Sequence, residues 1–136
     1  MSTEGKSTQA EEFDWAVKNG DLAGVTAFLQ KDANLVNKLD GNKRGPCHWA
    51  ADFGQTEILK LLISKKANID LKGNFTLNEF GYKYGITPLL AAVYEEHVGC
   101  VELLLKNGAD KNATGPDDRT AVEAASESAK LKPLFK

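Results

Sequence analysis

The chain has 136 residues, 42% hydrophobic and 26% charged, enough for one globular domain with its own core. Nineteen acidic residues against seventeen basic ones leave a net charge of −2, which speaks against a binder that neutralises nucleic-acid phosphates and favours a basic protein partner. No apolar run reaches membrane-spanning length and no positively charged start leads into a hydrophobic segment, so no membrane contact and a place in the cytosol or nucleus are expected.

Taken in chain order, residues 1–7 are expected to form a flexible tail and residues 8–136 a single domain. Thr8 stands three residues before Glu11, the spacing of a capping box, and opens a first unit of about residues 8–40, "FDWAVKNGDLAGVTAFLQKDANLVN" at its heart. A second unit, about 41–73, contains "KRGPCHWAADFGQTEILKLLISKKANID". After an aromatic segment within 71–86, carrying Phe75, Phe80, Tyr82 and Tyr84, a third unit of about 83–115 contains two short apolar runs at helical spacing, Leu89 to Tyr94 and Val98 to Leu105. Thr120 and Glu123 repeat the capping-box spacing in a fourth unit, 116–136, which closes on "AKLKPLFK".

These units are copies of one another. An offset of 42 residues lays Pro46 on Pro88, Ala50 on Ala92, Leu59 on Val101 and Ala67 on Ala109, while an offset of 33 lays Thr87 on Thr120 and Leu89 on Val122. The nine extra residues of the longer offset therefore sit in one place, before the third unit. Looking backward, Trp15 falls on Trp49, Ala16 on Ala50, Gly20 on Gly54 and Ala33 on Ala67.

Thr87 is suited to cap a helix, Pro88 to its first turn, and Gly108 to the left-handed residue that ends the second helix. A 33-residue period in which Thr87-Pro88-Leu89 opens one short helix and Gly108-Ala109-Asp110 closes the next resembles the ankyrin repeat. The resemblance implies an all-α solenoid of four helix-turn-helix units, with the aromatic insertion before the third. Each unit buries its face only on its neighbours, so the two ends should act as caps and the molecule should be a monomer.

No sequence feature supports an enzyme. Phosphate-binding loops, dinucleotide fingerprints, nucleophile elbows and zincin helices are missing, and no cofactor is implied. Cys47 and Cys100 fall in apolar register and read as reduced core thiols. His48 and His97 stand where ankyrin repeats commonly carry structural histidines, so no metal site is expected. The shared register of Trp15 and Trp49 points first to packing between helices.

In a solenoid of this kind the tips of the long loops and the ends of the first helices line the concave side. Projecting that register gives Asn42 and Arg44, Asp52 and Phe53, Tyr84 and Ile86, Tyr94 and Glu95, and Asp117, Asp118 and Arg119. The partner-binding set taken from this row is Arg44, Asp52, Phe53, Tyr84, Tyr94, Glu95, Asp117 and Asp118. Its aromatics would supply desolvated anchors and its carboxylates would orient a basic partner.

Within the ankyrin family, "WAVKNGDL", "AADFGQTEILKLLI", "ITPLLAAVYEEHVGCVELLLKNGADK" and "GPDDRTAVEA" resemble, from about Phe13 to the C-terminus, a group of small four-repeat proteins. Members of that group bind the heterodimeric actin capping protein and block its attachment to filament barbed ends. The resemblance implies inhibition of capping and promotion of elongation, without direct nucleic-acid binding. The other function that it leaves open is an adaptor regulating a kinase or a transcription-factor complex.

Overall fold

A computed structural model describes residues 8–40, 43–73, 85–116 and 118–135. Helices come in pairs: α1 (Gln9–Lys18) with α2 (Leu22–Lys31), α3 (Pro46–Asp52) with α4 (Thr56–Ser64), and α5 (Pro88–Tyr94) with α6 (Val98–Lys106). The last unit keeps α7 (Ala121–Ala125) and has a 3-10 turn, Lys132–Phe135, where its sisters have a second helix. The odd-numbered helices stack in one layer, α1 on α3 on α5 on α7, and α2, α4 and α6 stack in the other. No strand occurs among the described residues, which hold two isolated bridges, Gly73 with Ile86 and Thr114 with Thr120.

Local chemistry sets the helix starts. Thr8 and Thr120 each close a complete capping box with Glu11 and Glu123. Thr87 accepts the Leu90 N–H at 3.2 Å, with Pro88 behind it where a missing N–H costs nothing. The helices are five to ten residues long and would be marginal alone, so packing must hold them. Small residues make the inner layer close: Ala16, Ala50, Ala92 and Ala125 are buried at equivalent places, and Ile58, Leu59, Leu62, Cys100, Val101 and Leu104 fill the outer layer. Leu131 is fully buried, and Leu134 and Phe135 pack on the same core, covering the C-terminal end.

Polar contacts stitch each unit to the next at repeating positions. The Gln55 side chain donates to the Lys18 carbonyl at 2.9 Å, and His97, its counterpart one unit on, bonds the Asp52 carbonyl at 3.0 Å. On the outer side the Asn37 side chain accepts the Asn68 N–H, and Asp70 accepts the Asp110 N–H, both at 2.8 Å. These satisfy helix-end and loop groups that a lone unit would leave to water.

His48 does more. Its Nδ1 accepts the Gly45 N–H at 3.1 Å, so the proton resides on Nε2, which donates to the Ile86 carbonyl at 2.7 Å. One buried imidazole thus ties the start of α3 to the strand-like entry of the third unit. Burial lowers its pKa from the ordinary value, against the pull of the Ile86 carbonyl.

Candidate binding face

The ends of the inner helices and the loops before them build one face. Lys18 from α1 places its ammonium 4.1 Å from the centre of the Trp49 ring, and the Arg44 guanidinium lies 5.2 Å from the same ring. Trp49 is half-buried, and its indole nitrogen is buried with no hydrogen-bond partner among the described residues. Phe53 leans toward it, ring centres 6.5 Å apart, yet stays 48% exposed.

Asp52 is half-buried beside this group, and burial, helped by the neighbouring Glu95 charge, raises its carboxyl above the usual range despite Arg44, His97 and Lys18. The expected residues Arg44, Asp52, Phe53 and Glu95 are therefore neighbours, drawn from two units. Arg44 is positioned by its loop, where its N–H donates to the Asp40 carboxylate at 3.1 Å and its carbonyl accepts the Asp40 N–H at 2.9 Å.

Farther along, Tyr94 is half-buried and joins Val93, Glu96, Arg119, Ala124 and Ser128 around a recess of about 360 Å³ between the third and fourth units. Asp118 is exposed, in a left-handed conformation that turns the chain after Gly115. Arg119 is held along the surface of the fourth unit, by the Glu127 carboxylate at 3.3 Å and the Glu123 carbonyl at 2.8 Å. Tyr84, Asp117 and Asn42 lie outside the described residues, as does the aromatic insertion over 74–84.

Two expectations need correction. Ile86 belongs to the core and not to the exposed row: it is 5% exposed because its backbone pairs with Gly73, which turns its side chain under the third unit. Trp15 is 61% exposed, although its register suggested packing, because no described unit precedes α1 to cover it. Sequence reasoning also left out Lys18, whose signal was the register it shares with Asp52.

Both cysteines are free and buried, and burial pushes the Cys47 thiol up to about 12, far from a reactive thiolate. No three His, Cys, Asp or Glu side chains converge as metal ligands among the described residues.

Comparison with known proteins adds the family. The pattern of ankyrin repeats, three copies, matches residues 13–115. The chain belongs to the ankyrin-repeat family. As in other ankyrin proteins, its repeats form a non-enzymatic module for binding proteins. The chain is 48% identical to myotrophin of Xenopus tropicalis over 58 residues, 43% of this chain and 48% of that protein. It is 46% identical to the Xenopus laevis myotrophin over 48 residues, 35% of this chain and 40% of that one. Ankyrin repeat protein nuc-2 of Neurospora crassa is 34% identical over 108 residues, 79% of this chain but 9% of that protein. The chain thus spans less than half the length of each of these relatives, and its likeness to myotrophin is regional, narrower than the stretch from Phe13 to the C-terminus.

Proposed function

We propose that this ankyrin module binds the heterodimeric actin capping protein and keeps it from filament barbed ends, with Arg44, Asp52, Phe53, Tyr94, Glu95 and Asp118 on the contacting face. The observation that carries the reading is the regional likeness to myotrophin, taken with the resemblance of the sequence to the small four-repeat proteins that bind capping protein. The face is compatible with it. Phe53 offers an exposed ring beside carboxylates of Asp52 and Glu95, a combination that anchors and steers a basic surface. On this reading the protein acts as a monomer, in the cytosol or nucleus, by occupying its target one to one.

A barbed-end elongation assay with purified capping protein tests it. The wild type restores elongation as it is titrated in, and Phe53→Ala combined with Glu95→Lys, both exposed changes that leave the core intact, loses that effect. Elongation that stays blocked in the presence of excess folded protein sinks the reading. In that case the second reading, an adaptor on a kinase or transcription-factor complex, takes its place.

A further inference from the structure

At the α1 end of the stack, α1 and α2 border a groove of about 710 Å³ that the concave row does not use, with Trp15 and Phe28 on its apolar side and Glu11, Glu12, Asp14 and Asp21 around them. The repeat itself shows what such a groove accepts. Trp49 occupies the same register one unit later, and there the preceding unit lays the Lys18 ammonium 4.1 Å from the ring centre. At Trp15 no described unit precedes, and the ring is 61% exposed. Among the described residues no cation lies over the Trp15 ring as Lys18 lies over Trp49.

Charge points the same way. Among the described residues the groove's four carboxylates face one cation, Lys18, and that ammonium is already over Trp49. Burial pushes the Asp14 carboxyl up to about 6; Lys18 opposes this, and Asp40 and Glu11 add smaller contributions. An added cation would be attracted by the groove's carboxylates while its aliphatic stem covered the indole.

We propose that this groove takes a lysine or arginine side chain from a basic segment of a partner protein, laid over the Trp15 indole as Lys18 lies over Trp49. The groove borders the face described above through Lys18 but includes none of the residues assigned to capping protein, and its test does not depend on that assignment.

The chain has two tryptophans, so its ¹H–¹⁵N spectrum holds two indole signals, told apart by the one that Trp15→Phe removes. The probe is an end-capped hexapeptide alternating glycine and arginine, with a glycine–glutamate peptide as control. The expected result is a saturable shift of the Trp15 signal with the arginine peptide alone, weakening as sodium chloride rises from 50 to 500 mM. Trp15→Ala, followed at the backbone amides of Ala16 and Lys18, should lower affinity about tenfold or more, and Glu12→Lys, an exposed charge reversal whose fold is checked by circular dichroism, should lower it as well. Failure of the Trp15 signal to move at millimolar peptide, or equal movement at Trp49, overturns the proposal. So does a Trp15 signal that shifts without peptide, either with protein concentration or on deletion of residues 1–7; these would name a second copy or the chain's own start, with Lys6, as the occupant.

Discussion

Replacing His48 by leucine swaps in the residue type that its repeat counterpart, Leu90, already has, and so isolates what the imidazole adds. The ring is 2% exposed and satisfies the Gly45 N–H and the Ile86 carbonyl, both in buried residues. Leucine fills most of the space but leaves the Gly45 N–H dry, at roughly 1–3 kcal/mol, and the Ile86 carbonyl with the Gly73 N–H as its remaining partner, offset in part by its greater apolar burial. The net expectation is a loss of about 1–3 kcal/mol. For a domain of this size that corresponds to a melting temperature lower by roughly 3–10 °C. Acidity gives an independent check. The folded state holds His48 below its ordinary pKa, so the unfolded chain takes up its proton first. The imidazole's contribution is therefore complete above pH of about 6.5 and is lost as pH falls through that value, by at most about 1.4 kcal/mol per pH unit. Urea titrations at pH 7.5 and 5.5, followed by circular dichroism, should show the gap between wild type and His48→Leu narrowing at the lower pH. A melting temperature within 2 °C or so of wild type, or a gap that widens on acidification, refutes the pinning role.

Two backbone predictions follow from the left-handed residues that end helices, Gly54 after α3 and Lys66 after α4. Gly54 has φ +71°, and a Cβ there would lie 2.7 Å from His97 Nδ1, so Gly54→Ala should cost about 2–3 kcal/mol by urea titration, combining strain with displacement of the His97 stitch. Lys66 sits at φ +68° in the position that Gly108 fills one unit later, and it is exposed; Lys66→Gly should raise stability by roughly 0.5–1 kcal/mol in the same assay, and a loss of stability would contradict the strain argument.

Those turns also mark where sequence stops being legible. The register of Thr, Pro, Ala and Gly gave the units, their caps and the histidine positions, because each rests on a local requirement that a residue type satisfies. Glu96 falls on the register of Gly20 and Gly54, and yet adopts φ +55° without being glycine. Its carboxylate accepts the Ser128 hydroxyl at 2.7 Å, a contact 32 residues away that offsets the strain and that no local pattern announces. Trp15 and Trp49 make the same point about the binding face: one register, two degrees of exposure, decided by whether a neighbour is present. Arg44, Asp52, Phe53 and Glu95 could be named from register, but that Lys18 joins them through the Trp49 ring depended on how one unit leans on the next.

The bridge between Gly73 and Ile86 has a wider consequence. Two backbone hydrogen bonds, 2.9 and 2.8 Å, hold together the residues on either side of the inserted segment, and His48 grips the same Ile86 carbonyl from the core side. Units two and three therefore meet with a geometry set at this clasp and not by the number of residues between its jaws. Closing a loop costs only about 0.6 kcal/mol more for each doubling of its length, so residues added between two jaws held this way cost little in closure. A clasp of this kind is a place in the stack where evolution or a protein engineer can graft a new recognition loop.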